Sequence, residues 1–101
     1  MSKTKIPPLH PGEVLLEEFM RPTKLSQNRL AGQLHVPPRR INEIVNCKRK
    51  ITPDSAIRLA LYFGNTPQFW LGLQMDYDLD IAEDKLLNKL KTEVQPAALA
   101  V

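Results

Sequence analysis

Apolar residues recur along this chain at three- and four-residue steps, the spacing that places them on one face of an α-helix. No segment alternates cleanly between apolar and polar positions, as a half-buried strand would. The clearest pattern lies in residues 27–46, where six apolar positions are spaced to bury two short helices against each other: Leu30, Ala31, Leu34, Val36, Ile41 and Ile44. The pattern predicts an all-α chain that contains a helix-turn-helix.

Residues that favour helix ends divide the first part of the chain. Pro11 begins the first predicted helix and Pro22 ends it, since proline cannot continue a helical hydrogen-bond ladder. Ser26 is a suitable N-cap for a second helix over residues 27–34, because its hydroxyl can accept from the free amides of the first turn. His35 then occupies the turn, where many helix-turn-helix units have a left-handed glycine and where histidine is tolerated better than most residues.

The third predicted helix begins at Pro37-Pro38 and ends at Asn46-Cys47-Lys48. With about 100° of rotation per residue, Ile41, Ile44 and Val45 lie on its buried side. The opposite side and its flanks carry five polar residues: Arg39, Arg40, Asn42, Glu43 and Asn46. Cys47 stands where glycine would be the easier left-handed cap, and a positive φ there would cost about 1 kcal/mol.

Two Thr-Pro pairs mark further helix starts, because threonine can cap the free amides and proline suits the first turn. Thr52-Pro53 opens a fourth helix that Gly64 stops, and Thr66-Pro67 opens a fifth. Beyond Met75, apolar residues at helical spacing predict either a continuation of the fifth helix or a sixth helix after a break, ending before Pro96.

The length of 101 residues and the apolar fraction of 43% suit one modest core. We expect an N-terminal arm over 1–9, a helix-turn-helix domain with its C-terminal helix over 10–94, and a disordered tail over 95–101. No apolar run approaches the roughly 18 residues that span a bilayer, and the N-terminus lacks the apolar stretch of a signal peptide. We therefore expect a cytoplasmic protein without a membrane partner.

Candidate catalytic and metal-ligating residues are few. The single cysteine, Cys47, cannot form an intramolecular disulfide, and His10 and His35 do not have metal-ligand spacing with it. A nucleophile–histidine–acid set would have to draw on one histidine in the N-terminal arm and one in a turn. The sequence therefore predicts no metal, no cofactor and no catalytic residues, and it argues against an enzyme.

The positive charge of the chain is concentrated on the predicted helix-turn-helix. The net charge is +3, but residues 24–50 sum to +6, residues 1–23 to zero and residues 51–101 to −3. A charge run alone is more often a solvated face. Its coincidence with the helix-turn-helix favours a phosphate-binding surface, whereas a module that bound only protein would have no need of it.

The outward residues of the third helix also have the chemistry for reading duplex DNA. Arginine pairs bidentately with guanine, asparagine pairs with adenine, and glutamate accepts from cytosine N4. Glu43 has a second interpretation, because it can pair instead with Arg39 or Arg40 and merely orient it. A lone helix-turn-helix buries little surface, so useful affinity requires a homodimer on a near-palindromic operator.

Several separated stretches together resemble a known family. The runs from Leu25 to Val36 and from Ile41 to Ala60 resemble phage-repressor-like (Xre, Cro/C1-type) DNA-binding domains. With His10-Pro-Gly-Glu and Phe69-Trp-Leu-Gly-Leu-Gln, the chain resembles specifically the HigA antitoxins, also named virulence-associated protein I. The resemblance covers about residues 9–80.

This resemblance implies a five-helix fold with a C-terminal helical extension and a homodimer. It further implies a repressor of the operon that encodes the antitoxin and a HigB-type toxin, which cleaves messenger RNA. By position, Gln27 would anchor a phosphate; Arg39, Glu43 and Asn46 would face the major groove. The flanking backbone would be held by Arg40, Lys48 and Arg49. The alternative is a stand-alone Xre-family transcriptional regulator without a toxin partner.

The aromatic and apolar residues that open the fifth helix allow three interpretations: core, dimer surface or toxin-binding surface. For Phe69 and Leu73, four residues apart, core is favoured. Trp70 lies about 100° from Phe69 around the axis, so burying both requires a wide contact, which a subunit interface would supply. The candidate dimer interface therefore consists of Phe69, Trp70, Leu73 and Tyr77.

Overall fold

The structure, a computed structural model, describes residues 8–98, and every regular element among them is a helix. Helix α1 spans 11–23, α2 is Gln27–Leu34, α3 is Pro38–Val45, α4 is Pro53–Phe63 and α5 is Pro67–Glu93. This confirms the predicted all-α architecture with a helix-turn-helix, formed by α2 and α3. Most of the predicted arm and the last three residues of the predicted tail lie outside the described residues.

Helix α1 continues past Pro22, so the prediction that Pro22 ends it is wrong. The helix begins as an α-helical turn, Pro11–Val14, becomes a π-helix over Leu15–Met20 and closes with Arg21–Thr23. In the π segment the hydrogen bonds span five residues instead of four, as in the bond from the Arg21 N–H to the Leu16 carbonyl. The wider turn removes the clash that a proline ring makes with the preceding turn of a regular α-helix.

Three helices end on a non-glycine residue in the left-handed conformation: Lys24 (φ 57°), His35 (φ 58°) and Cys47 (φ 62°). After α3, the Cys47 N–H donates to the Ile44 carbonyl at 3.0 Å and the Lys48 N–H donates to the Glu43 carbonyl at 2.8 Å. This pair of bonds satisfies the last carbonyls of the helix. The left-handed turns considered at His35 and Cys47 are therefore present, at a cost of about 1 kcal/mol each.

The core lies where α1, α4 and the first turns of α5 meet the helix-turn-helix. Trp70 is its largest residue and is 0% exposed, with its Nε1 donating to the Asn65 Oδ1 at 2.8 Å. The prediction that Trp70 contacts a second subunit is therefore wrong, because no partner can reach a side chain that its own chain covers. Phe69, for which core was favoured, is 40% exposed, whereas Leu73 packs partly buried against the core.

Helix α1 approaches α3 most closely at Gly12. A Cβ atom built on Gly12 would lie 1.8 Å from the carbonyl oxygen of Ile44, near the end of α3. The absence of a side chain at this position is thus what allows the backbones of the two helices to meet. The contact sets the position of α3 relative to the rest of the domain.

Helix α5 is one continuous helix of 27 residues, as one of the two predicted alternatives had it. At 1.5 Å per residue it is about 40 Å long. Its first half packs on the domain and its second half, from Glu83 onwards, is exposed on all sides. None of the helices within residues 8–98 has the length and apolar character needed to cross a membrane.

His10 is buried and caps α1. Its Nδ1 accepts from the Gly12 N–H at 2.8 Å, while its backbone N–H donates to the Glu13 Oε1 at 3.3 Å. Tyr77 contacts the imidazole edge-on, with 4.8 Å between ring centroids. Burial lowers the pKa of His10 below the ordinary 6.5, although Glu13 and Asp78 oppose the shift.

The cap makes stability depend on pH in weak acid. Below pH 6.5 the unfolded chain binds a proton at His10 more readily than the folded chain, so stability falls with decreasing pH until the folded pKa is passed, and then levels off. A His10→Asn variant keeps a capping acceptor but cannot titrate in this range. Urea unfolding between pH 8 and pH 5 should show a smaller loss for this variant than for the native chain, and parallel losses would contradict the prediction.

Candidate nucleic-acid interface

Helix α3 presents one side to the core and the other to solvent. Ile41, Ile44 and Val45 are buried, as their spacing predicted, while the side chain of Arg39 is 83% exposed. Pro37 adopts an extended conformation and Pro38 starts the helix, where the missing N–H has no cost. The exposed face consists of Arg39, Asn42, Glu43 and Asn46, at positions one helical turn apart.

Two arginines hold the carboxylate of Glu43. The Arg39 Nε donates to Oε2 at 2.8 Å, and the Arg49 Nε donates to Oε1 at 2.8 Å. The hydrogen bond from Arg39, and after it the one from Arg49, holds the pKa of Glu43 below its ordinary value. The pairing with Glu43 in turn raises the pKa of Arg39. Of the two pairings considered for Glu43, the structure shows the one with Arg39.

Arg40 turns to a different carboxylate, that of Asp54 in the first turn of α4. The Arg40 Nη1 donates to the Asp54 Oδ2 at 2.5 Å and the Arg58 Nε donates to the same oxygen at 2.9 Å. The hydrogen bond from Arg58, and after it the one from Arg40, holds the pKa of Asp54 below its ordinary value. Arg58 also donates to the Leu34 carbonyl at 2.7 Å, so this cluster joins α2, α3 and α4.

A side-chain hydrogen bond links the exposed face of α3 to the start of α2. The Asn42 Nδ2 donates to the Gln27 Oε1 at 3.1 Å. Because Gln27 is the first residue of α2, the bond brings the predicted phosphate anchor beside α3. The same bond restrains the side chains of Gln27 and Asn42, which face each other across the helix-turn-helix.

The basic segment Lys48-Arg49-Lys50 follows α3 and is exposed. The next residue is anchored to α5, because the Ile51 N–H donates to the Oε1 of the buried Gln74 at 2.8 Å. The Gln74 Nε2 donates to the Asp78 Oδ1 at 2.9 Å, and the Lys50 Nζ lies 3.4 Å from the Asp78 Oδ2. This arrangement fixes the path of the loop without a regular element.

The structure brings most of the predicted site residues together in pairs: Gln27 with Asn42, and Arg39 and Arg49 with Glu43. Asn46 lies exposed at the end of the same face, Lys48 lies exposed beyond it, and Arg40 is directed to Asp54. Sequence reasoning did not identify Asp54, Arg58 and Gln74 as part of the site. The four-residue spacing of Asp54 and Arg58 was a visible signal for an ion pair, whereas nothing local indicated Gln74.

This surface is suited to contact with a polyanion. Arginine and lysine side chains neutralise phosphates, while exposed amide and guanidinium groups on a helix can reach base edges in a major groove. Within residues 8–98, histidine, cysteine and acidic side chains form no group of three that could hold a metal ion.

Comparison with known proteins adds independent findings. A helix-turn-helix family model matches residues 16–70. Virulence-associated protein I from Dichelobacter nodosus is 53% identical over 81 residues, which cover 80% of this chain and 75% of that protein.

Solved structures show the same fold. An addiction module antidote protein of the HigA family from Coxiella burnetii is 47% identical with a TM-score of 0.87, covering 91% of this chain and 100% of that one. The Pseudomonas aeruginosa antitoxin HigA, solved with the higBA promoter, is 39% identical with a TM-score of 0.85, covering 88% of this chain and 97% of that one.

Proposed function

Because this chain belongs to the helix-turn-helix family of virulence-associated protein I and the HigA antitoxins, we propose that it is a DNA-binding antitoxin that represses its own operon. The observation that carries the proposal is the exposed face of α3, built on a segment with a charge of +6. A relative with 39% identity was solved with the higBA promoter, which supports DNA as the partner of this chain. In this proposal the protein binds chromosomal DNA in the cytoplasm.

In this proposal Arg39 and Asn46 enter the major groove, where Arg39 can pair with guanine and Asn46 with adenine. Gln27 and Asn42 lie at the rim, with Gln27 close to a phosphate. Lys48 and Arg49 bind the backbone beyond the helix. The phosphate contacts supply affinity and register, and the base contacts supply sequence preference.

Binding to two operator half-sites requires a homodimer. Because Trp70 is buried within its own chain, the interface must lie elsewhere. The C-terminal part of α5 and the residue after it offer one, which we call the α5 seam: Leu79, Leu86, Leu87 and Leu90 on the helix and Val94 directly beyond its end, each 41–62% exposed. Apolar residues at these spacings form a stripe along one side of the helix. An isolated helix with such a stripe is stabilised by burying it against another apolar surface.

Charge favours a second copy of the same helix as that surface. Residues 76–84 contain five acidic residues and no basic one, whereas residues 85–93 contain three lysines and one glutamate. An antiparallel pair centred on Leu86 places the acidic half of each helix against the basic half of the other. In this register Glu83 faces Lys89 of the partner subunit, and the two-fold axis passes between the two Leu86 side chains.

The antitoxin part of the proposal has its own test. If the chain neutralises a HigB-type toxin, the product of a short neighbouring gene should co-purify with it, and co-expression should relieve that product's inhibition of growth. If no neighbouring product binds, the chain is a stand-alone Xre-family regulator. Either outcome leaves the proposed DNA binding intact.

The DNA-binding part is tested at Arg39. We expect Arg39→Ala to weaken binding to the intergenic DNA of its own operon by about 1–3 kcal/mol and to relax sequence preference. Gel-shift titration with the operator and with single-base variants measures both. Arg21→Ala is a matched control, because Arg21 is also exposed and also pairs with a glutamate four residues away, on α1. Equal affinities for the native and Arg39→Ala proteins would remove Arg39 from the proposed contacts.

A further inference from the structure

Glu43 holds both arginines that flank it on the exposed face of α3, and we infer that it determines specificity by suppressing binding to DNA that is not the operator. The inference rests on the proposed DNA binding. It assigns to Glu43 a positioning and repulsive role in place of the direct base contact that its position implied. Three features of the site support this assignment.

The first feature is how completely the carboxylate is used. Oε2 accepts from the Arg39 Nε at 2.8 Å, and Oε1 accepts from the Arg49 Nε at 2.8 Å and lies 2.8 Å from the Arg49 Nη2. The Glu43 side chain is only 23% exposed, although it projects from the outward face, because the arginines lie beside it. A carboxylate engaged through both oxygens would have to release an arginine before it could accept from a cytosine.

The second feature is what the pairing leaves free on each arginine. A guanidinium carries five N–H donors, and Arg39 donates to Glu43 from its Nε, so the edge formed by its two terminal nitrogens can still pair bidentately with guanine. Arg49 directs two nitrogens to Glu43. Glu43 therefore orients Arg39 for reading and makes phosphate binding by Arg49 less favourable than it would be for an unpaired arginine.

The third feature is charge. Non-specific DNA binding is largely the electrostatic attraction between basic side chains and phosphates. A carboxylate at the centre of the contact face opposes that attraction on every sequence. On the operator, the base contacts of a correctly oriented Arg39 offset the repulsion, whereas on other DNA nothing does.

These features predict opposite effects of Glu43→Gln on two kinds of DNA. Binding to a scrambled duplex should become tighter, and the slope of log affinity against log salt should steepen by about 1 to 2, as one or two released arginines reach phosphates. Operator binding should not gain equally, because Arg39 is no longer held. The ratio of operator to scrambled affinity should fall about tenfold, the effect of one mismatched base pair.

The experiment measures both affinities by fluorescence anisotropy over a salt series. Glu17→Gln is the matched control, because it removes the same charge from an exposed glutamate that pairs with Arg21 four residues away on α1. Adding Arg49→Ala to Glu43→Gln should reduce the gain on scrambled DNA, since Arg49 is one of the two arginines that the substitution releases. A glutamate that merely read a base would lower operator affinity without that gain.

The outcomes separate the inference from the function on which it rests. If the native protein prefers the operator and Glu43→Gln leaves the ratio unchanged, or Glu17→Gln lowers it equally, the inference is wrong and the DNA-binding proposal stands. If the native protein binds both duplexes alike, the DNA-binding proposal itself fails. A fall in the ratio that is confined to Glu43→Gln and comes with tighter binding to scrambled DNA supports both.

Discussion

Replacing Gly12 with alanine is expected to lower the free energy of unfolding by about 3 kcal/mol or more, as severe overpacking does. The new Cβ would lie 1.8 Å from the Ile44 carbonyl oxygen. That atom belongs to the backbone and already accepts the Cys47 N–H that closes α3, so it cannot turn aside as a long side chain would. The helices must separate, which opens the core beneath them.

Thermal and urea unfolding measure this effect. For a domain of about 100 residues, 3 kcal/mol corresponds to a fall in Tm of roughly 12–24 °C. Gly72→Ala is the control, because a Cβ at that position in α5 meets nothing within 4 Å and alanine is the better helix former. The control should be neutral or stabilising. A Gly12→Ala protein as stable as the native one would show that α1 and α3 do not meet as described.

The same substitution reaches the DNA-binding face. Displacement at Ile44 shifts the end of α3 and the basic loop after it, while Arg39 at the start of the helix moves less. Operator affinity of Gly12→Ala should therefore fall even well below its melting temperature. Intact affinity in a destabilised variant would separate the packing role of Gly12 from the positioning of α3.

Replacing Leu86 with lysine is expected to convert the proposed dimer to monomers and to weaken operator binding by about 10²- to 10⁴-fold, the gain that linking two binding modules brings. In the antiparallel register, Leu86 of each copy lies at the two-fold axis, so the two introduced ammonium groups would face each other in an apolar seam. Light scattering gives the mass, and gel-shift titration gives the affinity.

Leu61→Lys is the control for this experiment, since Leu61 is a largely exposed leucine of α4 outside the seam. The register has a separate test. Glu83→Lys should weaken the dimer, and adding Lys89→Glu should restore it, because the two charges exchange places across the axis. A dimer that persists in Leu86→Lys would locate the interface elsewhere.

Local sequence signals predicted most of this fold. Ser26, Thr52 and Thr66 accept from the amides of the helices they precede, as their residue types indicate. The buried side of α3 followed from the helical period alone. The prediction that Pro22 ends α1 failed because the rule behind it applies to regular α-helical hydrogen bonding. The apolar periodicity of residues 15–20 gave no sign of the π-helix that precedes Pro22.

What sequence reasoning missed depends on contacts between distant residues. On an isolated helix, Trp70 lies about 100° around the axis from Phe69, so nothing in the sequence indicated that the domain itself would cover Trp70. In the structure the domain surrounds the start of α5 closely enough to bury this side chain. The bond of Gln74 to the Ile51 N–H joins residues 23 positions apart, and the pair of Arg40 with Asp54 joins residues 14 apart. Helical period determines the side of a helix on which a residue lies but carries no information on its partner there.

The hydrogen bond from the Ile51 N–H to Gln74 connects the basic loop to the same helix that carries the α5 seam. A single continuous helix of 27 residues thus joins the proposed protein–protein contact to the proposed protein–DNA contact. In the proposed dimer this helix fixes the distance and angle between the two DNA-binding faces, and with them the spacing of the half-sites. One base pair inserted between half-sites rotates the second by about 35° around the duplex, and a stiff helix has no joint with which to follow it.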